Sequence, residues 1–352
     1  ATDEFLLNLT FSDRVMQVLR ACGFYVRQTF FPSNFMLIHP KWPAAGDDLA
    51  GVAGCLLACG CIVAILIQAW RRRVWQRIGL GTAWFLLALI PSLGIFYIPF
   101  FVYAPVSEHY LYLALPGAIA AAVEGIGQIF KRQPKVVWLI ISTIAACFCV
   151  VSHGRSKIYL SEESVWQESI AKNPDSWLGY YNLGVQAYRA GQKPKAVMAF
   201  EQALARRNNL PEASYNLGVI AHEEQDFPRA LSKLKHAIDL RPDFCTARNV
   251  YAVVFYRTKQ FDRALHEWKE VVLRCPSFAE AHYNLGVLLT RRGDYPSARM
   301  HLAQAIQLEP VFQEPRFSIA THFPKQNEAK QLLKALESST PNPGPEQTGV
   351  QQ

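Results

Sequence analysis

Amide side chains recur at a fixed interval in the second half of this 352-residue chain. Asn182 and Asn216 are 34 residues apart, Asn284 follows 68 residues later, and a tyrosine precedes each of them. A carboxamide offers one acceptor and two donors, so a row of carboxamides can pair with the backbone of an extended peptide without reading its side chains. The chemistry that this spacing indicates is noncovalent binding of a polypeptide.

The apolar residues that must position these amides follow the same interval. With position 1 at Trp177, a large side chain recurs at position 7, glycine or alanine at position 8, alanine at position 20 and a large apolar residue at position 24. The small residues let two antiparallel helices approach, and the large residues fill the space between them. Prolines at position 18 (Pro194, Pro228 and Pro296) suit the first turn of the second helix. The spacing predicts four helix-turn-helix units at 177–210, 211–244, 245–278 and 279–312.

This pattern resembles the tetratricopeptide repeat (TPR), a helix-turn-helix unit of that length. The resemblance implies an α-solenoid with a concave groove over residues 177–337, ending in a capping helix at 327–336. Residues 338–352 are rich in proline, glycine and polar side chains, and we expect them to be disordered.

Positions 5, 6, 9, 12 and 13 of each first helix are expected to face the groove. The amide row is interrupted at Val250. Two interpretations stay open: a ladder that holds a peptide backbone, or an asparagine that is simply frequent before Leu-Gly in this repeat. The candidate peptide-binding residues are Tyr181, Asn182, Arg189, Tyr215, Asn216, Asn249, Tyr256, Tyr283, Asn284 and Arg291.

Residues 1–155 differ in composition from the rest of the chain. They hold 12 Lys+Arg and 7 Asp+Glu in short clusters between uncharged runs, whereas the remainder holds 24 and 21. Uncharged runs of this length predict transmembrane helices. The predicted fold class is all-α, with N-terminal multi-span transmembrane helices followed by a TPR α-solenoid. The candidate helices, about four or five in number, lie at approximately 15–31, 49–70, 78–95, 110–130 and 136–153, and an amphipathic connecting helix is expected within 156–176.

Basic residues set the expected orientation. Arg71, Arg72, Arg73 and Arg77 crowd one short loop, and Lys131, Arg132 and Lys135 crowd another. Both loops should be cytoplasmic, which leaves the repeat array on the extracytosolic (periplasmic or lumenal) side. The net charge of +8 is dispersed along the chain, so we expect a lipid bilayer and polypeptides as partners and no nucleic acid.

Cysteine usage and motifs indicate neither metal nor cofactor. Six of the eight cysteines lie in apolar segments, and no Cys-x-x-Cys pair, nucleotide-binding loop or Ser/His/Asp arrangement occurs in the sequence. We therefore assign no catalytic residue and expect no cofactor and no bound metal. Cys245 and Cys275 lie at opposite ends of the third unit, and of the oxidised and reduced states we expect the reduced one.

Two stretches of the membrane half resemble transmembrane-and-TPR-containing proteins: Arg14 followed by Gly23–Pro40, and the segment EHYLYLALPG at Glu108–Gly117. This family is similar to GT-C glycosyltransferases, which move a sugar, commonly mannose, from a polyprenyl-phosphate donor to an extracytosolic acceptor. His109 stands where the family has arginine, and Ala114 where it has proline. The acidic catalytic residues of such enzymes would precede Ala1, so we expect a C-terminal part without its own catalytic acidic loop.

Arg14, Glu108 and His109 are the candidate contacts to a lipid phosphate or sugar donor. The alternative for Glu108 and His109 is an interfacial anchor flanked by tyrosines, and for Arg14 a side chain that reaches the lipid headgroups. Two functional hypotheses follow, and they leave open whether the chain is an enzyme. The first is part of a lipid-linked-sugar-dependent protein glycosyltransferase whose array recruits acceptors. The second is a non-enzymatic, membrane-tethered TPR adaptor that assembles envelope protein complexes.

Overall fold

The structure is a computed structural model that describes residues 11–30, 39, 60–61, 63–64, 67–68, 71, 75–93, 106–308 and 326–338. Helices and their connecting turns account for this part of the chain, and no strand occurs in it. The all-α fold class is therefore confirmed. The chain divides into two compact units, Ala1–Gly179 and Tyr180–Gln352.

The helices that precede Trp177 form what we call the membrane-type half, and several of them are long and apolar. Three segments are long and apolar enough to cross a membrane, namely Gln76–Leu93, Leu111–Ile129 and Pro134–Leu160. The third exposes nearly all of its side chains, as a helix that faces lipid would. The helices of this half are α1 (Phe11–Phe30), α2 (Gln76–Leu89), α3 (Leu111–Ile129), α4 (Pro134–Ser156) and α5 (Glu162–Lys172).

Two glycines bring α2 and α3 into contact. A Cβ atom on Gly117 would lie 2.5 Å from the carbonyl oxygen of Gly81, and a Cβ atom on Gly81 would lie 2.6 Å from the carbonyl oxygen of Gly117. The indole N–H of Trp84 donates to the carbonyl oxygen of Leu113 at 3.0 Å beside this crossing. Small residues at a crossing with backbone-to-backbone contact are typical of helices that pack in a bilayer.

Two of the expected segments, one in each half of the chain, fall largely outside the described residues. The candidate span 49–70 is described only at scattered helical positions, and the expected tail 338–352 is described only at Ser338. Helix α5 lies within the segment 156–176 and begins at Ser161, whose hydroxyl accepts a hydrogen bond from the backbone N–H of Ser164. Such a cap satisfies one of the otherwise unpaired donors at a helix start.

The array consists of antiparallel helix pairs. Pro194, Pro228 and Pro296 lie in the first turn of the second helix of their repeats, where the missing N–H removes no helical bond. The helices are α6 (Trp177–Arg189), α7 (Lys193–Arg206), α8 (Pro211–Glu223), α9 (Phe227–Leu240), α10 (Cys245–Arg257), α11 (Phe261–Arg274), α12 (Ala279–Arg292), α13 (Tyr295–Gln307) and α14 (Gln326–Ser338).

Position 8 lies directly under position 24 in these repeats. A Cβ atom on Gly218 would lie 2.6 Å from Cγ of Leu234, and Gly286 stands in the same relation to Leu302 at 2.7 Å. Both leucines are fully buried. The large side chain of the second helix thus fills the space that the glycine of the first helix leaves.

The structure corrects the expectation that Cys245 and Cys275 stay reduced, because it joins them in a disulfide with a Cα–Cα distance of 6.5 Å. Cys245 is the first residue of α10, and Cys275 directly follows α11. Since α11 returns antiparallel to α10, residues at opposite ends of the repeat in sequence become neighbours in space.

Candidate functional site

The first helices of successive repeats meet through their groove-facing positions. Asn249 at position 5 of the third repeat accepts a hydrogen bond at Oδ1 from Nδ2 of Asn284, at position 6 of the fourth, over 3.1 Å. Tyr188 at position 12 of the first repeat donates to the carboxylate of Glu223, at position 13 of the second. The first helices therefore form one continuous wall of polar and aromatic side chains, the wall that faces the groove of a TPR solenoid.

The candidate residues differ in how open they are to solvent. Asn216 and Asn249 have no exposed surface, and Tyr181 and Tyr215 are also buried. Arg189 and Arg291 are exposed at the ends of their helices, and the remaining candidates are half-buried: Asn182, Tyr256, Tyr283 and Asn284. The repeat pattern identifies the wall, but the burial of its amides depends on neighbours that the pattern does not contain.

Buried polar atoms without a hydrogen-bond partner cluster on this wall. Oδ1 of Asn216 and Nε2 of His222 lack a partner, whereas the Asn216 carboxamide faces only the Tyr181 hydroxyl and Nδ2 of Asn249 faces only the Glu280 carboxyl, each without a well-formed hydrogen bond. Each such atom costs about 1–3 kcal/mol relative to a paired one. Asn216, His222 and Asn249 lie on two neighbouring first helices, α8 and α10, so the unmet hydrogen-bonding capacity is concentrated in the second and third repeats.

Trp268 fixes the orientation of the Asn249 amide. Its indole N–H donates to Asn249 Oδ1 at 2.8 Å, in addition to the bond from Asn284. With two donors on Oδ1, the Nδ2 group of Asn249 must point away from them. Trp268 occupies position 24, which the sequence pattern assigns to packing alone, and the signal for its second role is the indole among aliphatic and phenyl residues at that position.

Glu280 is a groove residue that sequence reasoning missed. It lies at position 2 of the fourth repeat and is half-buried. Burial raises the pKa of its carboxyl to about 7, and the neighbouring Asn249 side chain partly offsets that rise. Glutamate occupies position 2 in only two of the four repeats, so the spacing gave little reason to select it.

Most of the wall is electrically neutral near pH 7. Burial raises the pKa of Tyr181 and of Tyr215, so both hydroxyls keep their protons. Burial, together with Arg257, lowers the pKa of His222 and keeps its imidazole neutral. The wall therefore offers mainly uncharged donors and acceptors, which suit a peptide backbone.

The membrane-boundary candidates are only partly described. The side chains of Arg14 and Glu108 lie outside the described residues. His109 is exposed, and its Nδ1 lies 2.6 Å from Oγ of Ser107. Ser107 in turn donates its backbone N–H to the hydroxyl of the buried Tyr25 at 3.4 Å. Within the described part of the chain, no three His, Cys, Asp or Glu side chains converge as metal ligands would.

The helical repeats that form the wall match a known protein family. Residues 181–243 and 252–310 match the tetratricopeptide repeat family model. These stretches are therefore tetratricopeptide repeats, a class of helical solenoid with an extended concave surface. No curated protein matches the chain.

Solved structures of TPR proteins resemble the chain at low identity. The crystal structure of MamA has 18% identity and a TM-score of 0.39, with 42% of this chain and 86% of MamA covered. MamA from Desulfovibrio magneticus has 23% identity and a TM-score of 0.36, covering 46% and 89%. YrrB, described as a TPR protein with an unusual peptide-binding site, has 18% identity and a TM-score of 0.37, covering 54% and 95%.

Proposed function

We propose that the array binds an extended polypeptide along the wall formed by its first helices. The observation that carries this proposal is the set of buried atoms with incomplete hydrogen bonding on Asn216, His222 and Asn249. A polypeptide backbone presents N–H and C=O groups at regular intervals and can satisfy such atoms without reading side chains. Binding then recovers free energy that the unbound fold gives up.

Access to the wall requires a local movement. Because Asn216 has no exposed surface, a ligand reaches its carboxamide only when a covering side chain moves aside. The Asn216 carboxamide lies beside the Tyr181 hydroxyl and partly offsets the rise in the pKa of Tyr181 that burial causes. We infer that Tyr181 turns outward as the polypeptide binds, and that its ring then packs on the bound backbone.

Photo-crosslinking to a peptide pool tests the location of the bound chain. A photoreactive phenylalanine analogue replaces Val253, which lies at groove position 9 of the third repeat, in the full chain in detergent. The matched control carries the analogue at Met198, whose side chain is 66% exposed on a second helix. We expect a labelled pool of random peptides to crosslink at residue 253 and not at residue 198. Equal labelling at both would contradict the proposal.

We further propose that the apolar helices anchor the array to a membrane with the repeats on the extracytosolic side. Two independent observations support that side. The basic clusters at Arg71–Arg77 and Lys131–Lys135 favour a cytoplasmic location for the two loops that carry them. The Cys245–Cys275 disulfide is typical of an oxidising compartment. Protease added to the outside of sealed right-side-out vesicles should digest the array; protection of the array there, with digestion in inverted vesicles, would reverse the orientation.

The finer proposal is a role in protein glycosylation, in which the array delivers an acceptor polypeptide to a lipid-linked sugar. Its support is the resemblance of Gly23–Pro40 and Glu108–Gly117 to transmembrane-and-TPR-containing proteins. The alternative is a non-enzymatic adaptor, which needs only the polypeptide binding that we propose for the wall. Membranes that contain the protein, polyprenyl-phosphate mannose and the peptide pool separate the two. Sugar transfer supports the transferase, and peptide binding without transfer supports the adaptor.

A further inference from the structure

Two acidic residues that occupy the same repeat position have different surroundings. Glu212 at position 2 of the second repeat forms an ion pair with Arg241 over 2.7 Å. Glu280, the equivalent residue 68 positions later, has no cationic partner among the described residues. The sequence position equivalent to Arg241 in the fourth repeat is Glu309. Among the residues that the structure describes, Glu280 is therefore a half-buried acid without the counter-charge that Glu212 has.

The amide next to Glu280 is oriented to stabilise a carboxylate. Trp268 and Asn284 both donate to Oδ1 of Asn249, which leaves Nδ2 of Asn249 to face the carboxyl group of Glu280. The Asn249 side chain favours the charged form of Glu280, the effect expected of an N–H donor directed at a carboxylate. Because Trp268 and Asn249 are buried, this arrangement is rigid.

The other titratable groups around Glu280 are either uncharged or already paired with another residue. Tyr215 on α8 is close enough to interact with it electrostatically, and burial keeps that hydroxyl protonated. His282 follows two residues later on α12, and burial lowers the pKa of its imidazole. Arg248, next to Asn249 in the chain, is already bound to Glu267 at 2.7 Å. A carboxylate at this point thus lacks compensation within the described part of the protein.

We propose that the carboxylate of Glu280 receives the ammonium or guanidinium group of a lysine or arginine in the bound polypeptide. This inference rests on the polypeptide binding proposed above and adds a charge requirement at the junction of the third and fourth repeats. The incoming cation takes the place that Arg241 occupies beside Glu212. The groove then reads one side chain of a ligand whose backbone it otherwise binds without regard to sequence.

The ionisation of Glu280 determines whether affinity for the peptide rises or falls with pH. The pKa of Glu280 is about 7 in the unbound protein, and a cation binds the ionised form. Affinity for a lysine-containing peptide should therefore rise about tenfold between pH 6 and pH 8, as the ionised fraction rises. A protonated Glu280 that donates to a peptide carbonyl would give the opposite trend.

Two labelled pools of random peptides test the inference on the full chain in detergent. The pools differ only at a central residue, which is lysine in one and norleucine in the other, and fluorescence anisotropy gives the affinity at pH 6 and pH 8. We expect the lysine pool to bind about tenfold more tightly than the norleucine pool at pH 8. Glu280→Gln should remove this preference, and the matched variant Glu212→Gln should retain it.

Each outcome has a distinct meaning. If both pools bind the wild-type protein equally, or if binding of the lysine pool weakens with rising pH, the charge requirement is wrong and the polypeptide groove stands. If neither pool binds, the proposed function fails, and this inference fails with it. The wild-type comparison needs no variant, so an effect of Glu280→Gln on folding cannot obscure the result.

Discussion

Glycine is used differently in the two halves of the molecule. In the membrane-type half, Gly81 and Gly117 face each other, so that two helix backbones touch. In the array, Gly218 and Gly286 face leucine side chains that fill the space above them. A backbone contact is rigid on both sides, whereas a leucine can change its rotamer.

The difference is the one expected if the first half packs in a bilayer, as proposed above, and the array packs in water. Between helices in a bilayer there is no hydrophobic driving force, so close backbone contact supplies the attraction. In water, burial of Phe200, Leu234 and Leu302 drives the helix pairs together, and the glycine only makes room for them. The array should therefore be most sensitive to loss of a large side chain, and the membrane-type half to gain of a small one.

The largest effect is expected from Leu234→Ala. Its side chain is fully buried against Gly218, so the substitution leaves a cavity and should cost about 2–5 kcal/mol of unfolding free energy. Urea unfolding followed by circular dichroism measures the change. The exposed Met198→Ala is the control and should stay within about 0.5 kcal/mol of wild type. Equal costs for the two variants would mean that Leu234 does not lie in the core.

Reduction of the disulfide should destabilise the array by about 2–4 kcal/mol. The bond joins residues separated by 30 positions, and reduction lets the unfolded chain recover that loop entropy. Hydrogen exchange of peptides from α10 and α11, with and without reductant, measures the effect locally. Peptides from α2 and α3 are the internal control, and a response there as large as that in the array would contradict a local role for the bond.

Gly117→Ala should cost about 1–3 kcal/mol in the α2–α3 pair, because the added methyl group meets backbone atoms of Gly81 and Phe85. Gly218→Ala should cost less, since the neighbouring Leu234 side chain can yield. Heating in detergent while monitoring a crosslink between α2 and α3 measures the first effect. Gly125→Ala is the matched control on the same helix, because no atom lies within 4 Å of its added methyl group. A larger loss of stability for Gly218→Ala than for Gly117→Ala would contradict the claim that the backbone contact is the less tolerant of the two.

The smallest expected effect is the pH dependence of the unfolding free energy of the unbound array. The pKa of Glu280 is raised to about 7 in the folded protein, so the folded state holds a proton that the unfolded state releases at lower pH. Its contribution to stability is therefore present below pH 4.5 and is lost as pH rises toward 7. Glu280→Gln should raise the unfolding free energy at pH 8 by about 1–2 kcal/mol and leave it nearly unchanged at pH 4. Urea titrations at the two pH values measure the difference, and a variant less stable than wild type at pH 8 would contradict the assignment.

The sequence predicts the repeat architecture well because its signals are local and periodic. The 34-residue spacing anticipates that glycine at position 8 lies under the large residue at position 24, as Gly218 and Leu234 do. The prolines at position 18 likewise anticipate where the second helices begin. Each of these features depends on residues within one repeat.

The details of the site depend on contacts between repeats, which no single repeat encodes. The burial of Asn249 comes from Trp268 and from Asn284 of the next repeat. Glu280 matters because the arginine that pairs with Glu212 has no equivalent beside it. The disulfide was not expected because the sequence does not fix the redox state of two cysteines that an antiparallel helix pair brings together.

The central claim is that the incompletely hydrogen-bonded amides of the wall serve a bound polypeptide and not the fold. Asn216→Leu tests it most directly, since leucine keeps the branched shape and removes two buried polar atoms whose hydrogen bonding is incomplete. The measurement is the affinity of this variant for the random peptide pool, with its unfolding free energy recorded in the same buffer. We predict binding at least about tenfold weaker in a protein that is no less stable than wild type. Unchanged affinity in the folded variant would contradict the account.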